Sequence, residues 1–344
     1  MANRYWVGGT GTWDSSSITN WASVSGGASG ASAPNISDDG FIDANYGGGV
    51  ITVSGSVLCL SLNTTGFAGS IAGVGGSAIE IYTNIILNCG FNTVNGPQII
   101  FSGADNGTCS ITTTVAIVGV LKSNSAAEVS LTSDLVCSYF HSIRGGFDLN
   151  DYNVTGGFYT STTNTRRLFL GSGTWSIPYT GSSGDAGQWN ADASTNLTIN
   201  PQTSTISLIG GGSAITQYFR GGGFTYYNLN IGSYNDAGKT ITGNNTFNSI
   251  TNTTQPVLVK FTAFSTQTVS NFALTGTVGN LVVIQSASTS QFTLSSSNAQ
   301  NVNYISIKDS NAVGPSWTAG SGSINLGNNS GWKFPSSGFF AFFN

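Results

Sequence analysis

Charge is scarce in this chain: of 344 residues, 10 are Lys or Arg and 14 are Asp or Glu, 7% in all against roughly 25% in an average globular protein. Phosphate binding needs clustered cations, and ten scattered ones with a net charge of −4 exclude nucleic acid as an expected partner. The adjacent pair Arg166-Arg167 reads as the edge of a strand. Helix formers are scarce too, with one Met and only Glu80 and Glu128 as glutamates, and apolar residues hardly ever recur at helical spacing. No run of about 18 apolar residues exists, so membrane insertion is not expected. The opening Met1-Ala-Asn-Arg-Tyr-Trp6 lacks a basic stretch followed by an apolar one, and the product is expected to be cytosolic when made.

Metal and redox motifs are also missing. Cys59, Cys89, Cys109 and Cys137 lie 30, 20 and 28 residues apart, without a C-x-x-C pair and with His141 as the single histidine. Four reduced, buried thiols are expected, and no metal or other cofactor.

Gly, Ser, Thr and Asn occupy the places where charges would normally stand. With 39% hydrophobic residues, including 20 Phe, 12 Tyr and 7 Trp, there is enough apolar surface to offset chain entropy, so the chain is expected to be ordered. Val, Ile, Thr, Phe and Tyr come in runs of four to eight, broken by Gly, Asn and Ser, which is an all-β pattern. Leu58, Leu60 and Leu62 alternate around Cys59 and Ser61, and this predicts that the three share an inward face.

Three segments follow. Residues 1–46 form a small Trp/Gly-rich module in which Trp6, Trp13 and Trp21 are expected to cluster and close one end of the fold. Residues 47–334 are predicted to be a parallel β-solenoid, in full a right-handed parallel β-helix. The sign is an Asn between bulky apolar residues, at Asn228, Asn248, Asn271 and Asn303, spaced by 20, 23 and 32. One coil of such a helix takes about 20 to 25 residues, with equivalent residues stacked in ladders; the longest spacing would hold an insertion. Residues 335–344 are a Phe-rich tail whose Phe339, Phe340, Phe342 and Phe343 are expected to be buried in a subunit contact.

The stretch Arg4-Tyr-Trp-Val-Gly-Gly-Thr-Gly-Thr-Trp-Asp14, with Asn20-Trp21, Ser25-Gly-Gly27, Pro34, Asp38-Asp39 and Asp43, resembles the N-terminal signature of a group of phage virion proteins of the tail fibre or tail spike type. Gly145 to Val154, Asn164 to Leu168, Leu170 to Trp175, Gly221 to Leu229, Val302 to Ala312 and Gly327 to Trp332 resemble the solenoid part of the same proteins. The resemblance implies a virion component assembled in the host cytoplasm. Its partners would be other virion proteins, two further copies in a homotrimer, and a host surface glycan or receptor. A head decoration or fibre protein of the capsid, and a polysaccharide-degrading tailspike, are the alternatives.

For catalysis of the last kind, paired carboxylates some 5 to 9 Å apart along a groove are needed. The acidic groupings are Asp38/Asp39/Asp43 and Asp148/Asp151, and both read better as turn and capping residues. Asp38, Asp39 and Asp43 supply hard oxygen ligands for calcium, but without a regular D-x-D-x-D-G alternation. His141 has no triad partners in sequence, and Gly8-Gly9-Thr10-Gly11 lacks the Lys and the following helix of a phosphate loop. Tyr226 and Trp189 are candidates for stacking on sugar rings if exposed, and core residues otherwise. A non-enzymatic, structural and adhesive protein is the expectation.

Overall fold

A computed structural model of the chain describes residues 1–46, 48–91, 96–103, 108–178, 188–211, 216–232 and 237–335. They are nearly all β: short strands pair in parallel with the strands one coil away, and a single 3₁₀ turn, Ala44–Tyr46, is the one helical element among them. This is the parallel β-solenoid expected from the sequence, with about 12 turns along the chain. Two compact units are distinguished, one of residues 1–177 and 188–204, the other of residues 205–335.

In the first unit, one interior ladder runs Val57, Ile79, Ile99, Leu121, Phe140, Phe158, Trp189, each residue directly paired with the next. All seven are fully buried. The parallel ladder spaces equivalent residues by about 4.8 Å, so side chains stack face to face as they would in a cross-β array. Toward its end the ladder turns aromatic. Phe158 stacks on Trp189 at 4.4 Å, and Trp175 meets both edge-on, at 5.6 and 5.3 Å, while its indole N–H donates to Gly156 O. Residues 1–46 supply the first coil and the opening strand of the second: Asn3–Trp6 pairs in parallel with Asp39–Phe41, which pairs with Ser61–Asn63, and Gly11–Trp13 pairs with Val50–Val53.

In the second unit the corresponding ladders are Ile206, Leu229, Ile250, Phe272 and Val257, Val282, Ile305. Neighbouring rungs are 21 to 25 residues apart along the sequence, as the spacing of the Asn residues had predicted. The register of that repeat is different. Asn228 aligns with Ser249 and then Asn271, so Asn248 falls one residue off the ladder, and Asn303 lies just past the strand Gln300–Val302. The amide of Asn271 donates to Ser249 Oγ at 3.3 Å, so a hydroxyl substitutes for the missing amide.

The inward face of the second coil also departs from expectation. Val57 and Cys59 point inward, Leu58 and Leu60 are half-buried, and Leu62 is buried. Between strand Ser56–Cys59 and strand Ser61–Asn63 the chain bends at Leu60, and the bend shifts the alternation by one. Leu58, Leu60 and Leu62 therefore share no face.

The shortage of charge follows from this architecture. In a parallel in-register stack every outward residue lies about 4.8 Å from its equivalents, where like charges repel. Amides and hydroxyls can both donate and accept, so they stack without that penalty. Asn230 shows the pattern, donating to Ser207 Oγ at 2.9 Å on one side and accepting from Thr251 Oγ1 at 3.3 Å on the other.

Candidate functional site

Trp6, Trp13 and Trp21 come together. Strand Asn3–Trp6 runs antiparallel to Trp21–Ala22 with Trp6 opposite Trp21, and Gly11–Trp13 brings in the third indole. Trp21 is edge-on to Trp6 at 5.4 Å and to Trp13 at 5.2 Å, and all three rings are buried. The Trp6 N–H donates to Gly9 O at 3.0 Å, whereas those of Trp13 and Trp21 have no hydrogen-bond partner among the described residues. Gly8-Gly9-Thr10-Gly11 is thus the turn between two strands of the cluster, with Gly9 at φ +56°, and not a phosphate cradle. The indoles are interior and present no exposed ring face. Phe339, Phe340, Phe342 and Phe343 lie outside the described residues.

The acidic candidates do not converge on a common point. Asp38, buried, accepts from Ala2 N at 3.1 Å and Asn35 Nδ2 at 2.7 Å and lies 3.7 Å from the Arg4 guanidinium. Asp39 accepts from Ser61 Oγ, and Asp43 from Ser25 Oγ and Asn45 N. Each carboxylate is engaged with its own set of local partners. Asp148, the last residue of strand Leu135–Asp148, accepts from Asn150 N at 2.8 Å, and Asp151, in the turn that follows at φ +66°, accepts from Ser172 N at 2.7 Å. His141 Nε2 lies 2.9 Å from Ser161 Oγ, and its ring is tilted against Tyr159. Among the described residues, no group of three or more His, Cys, Asp or Glu is close enough to hold a metal ion.

All four cysteines are free and buried. Burial pushes the Cys137 thiol up to about 12 and that of Cys109 up to about 11, and raises Cys59 and Cys89 as well. None is poised as a nucleophile.

Two of the surface grooves among the described residues bear on the candidates. The first, of about 410 Å³, lies in the first unit and is lined by residues including Arg144, Asn164, Arg167 and Asn196. Behind it Arg166 is fully buried; its guanidinium donates to Thr160 Oγ1, Thr195 O and Asn164 O, and burial lowers its pKa. That arrangement ties the corner between Val154–Thr160 and Arg166–Phe169 to the Thr195 turn, and Arg166-Arg167 is a strand end, as its sequence indicated. The second groove, of about 540 Å³, lies in the second unit beside Phe264, which is 83% exposed. Tyr226 and Trp189, candidates for sugar stacking only if exposed, are buried: Tyr226 OH donates to Gly221 O, and Trp189 closes the interior ladder. Phe264 was missed because it sits in a corner. The available signal was its displacement from the inward set Val257, Val259, Phe261, at a position where Ser, Gly and Asn are the rule.

Searches against protein-family models, curated proteins and solved structures returned no match to this chain.

Proposed function

We propose that this chain is a structural protein of a bacteriophage particle, of the tail fibre or tail spike type, that projects from the virion and takes part in host attachment. The observation that carries the reading is the parallel β-solenoid, a fold typical of tail spike and fibre proteins, in a chain whose N-terminal Arg4–Asp14 stretch resembles virion proteins. Its work is mechanical. A main-chain ladder that engages every strand, and a surface of amides and hydroxyls that salt does not screen, suit a protein exposed outside a cell. Asp38, Asp39, Asp148 and Asp151, from the two acidic groupings of the sequence, are each engaged in holding the local chain, which supports a non-catalytic role.

In this reading the Trp6/Trp13/Trp21 end docks to other virion proteins, and three copies associate laterally, with the Phe-rich tail at a subunit contact. Closed cyclic symmetry is the usual solution for identical chains. Antibodies raised against the recombinant chain test the assignment on particles of the phage that encodes it. Electron microscopy is expected to place a handful of copies on the tail. Labelling over the whole head would make it a capsid decoration protein instead, and the absence of the chain from purified particles would remove the virion reading altogether.

A further inference from the structure

We infer that the groove beside Phe264 is a saccharide-binding site, with the phenyl face taking a neutral pyranose ring and the surrounding amides taking its hydroxyls. The site rests on the attachment reading only for the source of the sugar, a host surface polysaccharide; its chemistry is read from the groove itself.

Phe264 is placed against two preferences at once. Its ring is 83% exposed, where burial would be favourable, and its backbone has φ +63°, in the left-handed region that side-chain-bearing residues avoid. Non-glycine residues held in that region concentrate at ligand sites. The conformation is held firmly. Phe264 N donates to Gln291 O at 2.9 Å, Ser265 N and Oγ both donate to Thr262 O at 3.1 and 2.6 Å, and Thr293 N donates to Ser265 O at 2.8 Å. The platform is therefore built onto the next coil before any ligand arrives.

The wall facing it is made of amides fixed by their neighbours. Gln291 Nε2 donates to Asn328 O at 2.8 Å, Asn328 Nδ2 donates to Asp309 Oδ1 at 2.8 Å, and Asn311 Oδ1 accepts from Ser330 Oγ at 2.8 Å. An amide carries two N–H donors and an acceptor oxygen, so each retains hydrogen-bonding capacity beyond these contacts. Thr289, Ser290 and Thr293 complete the lining with hydroxyls, and no lining residue is charged. The volume, about 540 Å³, falls within the range of roughly 300 to 1,000 Å³ typical of small-molecule sites. An aromatic face beside neutral donors and acceptors complements a sugar ring, whose C–H face is apolar and whose hydroxyls both donate and accept. An acidic sugar would find no cation in the lining.

The test uses the full recombinant chain on a printed array of neutral and acidic oligosaccharides, with Phe264→Ala, Phe264→Tyr and Gln291→Ala alongside. The wild type is expected to retain neutral oligosaccharides. Phe264→Ala should lose at least tenfold in binding and Phe264→Tyr should keep most of it, while Gln291→Ala weakens it. Since Phe264 is exposed, thermal melting of Phe264→Ala should match the wild type, which separates lost binding from lost folding. The inference is overturned if no neutral oligosaccharide binds, if only acidic ones do, or if Phe264→Ala binds as well as the wild type. A change of oligomeric mass by light scattering in place of a change in binding would make Phe264 a subunit contact, and overturns it equally. Array binding lost through Phe264→Ala in a chain absent from the particle would leave this site standing and the virion reading fallen. A labelled tail with an empty array would do the reverse.

Discussion

Asn245 Nδ2 donates to Gln267 Oε1 at 3.0 Å, with both side chains sealed from solvent inside consecutive coils of the second unit. Asn245 Oδ1 in turn accepts from Gly223 N at 3.2 Å, and Gln267 Nε2 donates to Gly243 O at 2.8 Å. At a solenoid corner the main chain leaves its ladder, and buried backbone groups there need other partners. These two amides are those partners.

Replacing Asn245 by Ala would strip Gln267 Oε1 of its partner in a dry place, and would also remove the acceptor of the exposed Gly223 N–H. A buried unsatisfied group costs about 1–3 kcal/mol, so Asn245→Ala should lower stability by at least that much. Urea denaturation followed by circular dichroism measures it, and an unchanged midpoint would show that the corner is wet.

Lys239 predicts a pH dependence. It is buried, its ammonium donates to Gly210 O, and desolvation pushes its pKa from 10.5 down to about 8. Below pH 8 both folded and unfolded chains carry the proton and the full cost of burying the charge applies. Between about 8 and 10.5 the unfolded chain keeps a proton that the folded one releases, so stability rises with pH across that window. Comparison of melting curves for the wild type and Lys239→Met should show this rise only in the wild type.

Gly145 sits at a tight corner with φ +82°, and a Cβ there would lie 1.9 Å from Ser125 O and 2.5 Å from Ala127 O. Both obstacles are backbone, so Gly145→Ala must displace a neighbouring coil, at a cost of about 2–4 kcal/mol. Gly75, with nothing within 4 Å of the added carbon and no positive φ, is the control. Equal melting temperatures for the two variants would contradict the corner geometry.

The thiols should be silent in the native protein. With Cys109 raised to about 11 and Cys137 to about 12, and all four side chains buried, a disulfide reagent at pH 8 is expected to label none of them within the time that labels all four in guanidinium. Fast labelling of the folded chain would mean that the coils open locally.

Much of this was written along the chain. Strands such as Gln98–Phe101 and Asn84–Leu87 follow directly from β-branched and apolar runs between turn residues, and the coil length follows from their recurrence. Parity was harder to read. Inward and outward positions alternate only within a strand, and the bend at Leu60 resets them, which is why Leu62 is buried where Leu58 and Leu60 are half-buried.

What the sequence by itself determined is therefore the class of fold, its period and the uncharged chemistry of its surface, because these depend on composition and on short-range alternation. Which residues face one another was decided by the tertiary structure. The rungs join residues about twenty positions apart through corners of varying length, and each corner sets the phase of the next strand anew. Phe264 is the clearest case: Phe261, three residues earlier at the end of its strand, is core, and only the corner that pins the Phe264 N–H to Gln291 O leaves the later ring in solvent.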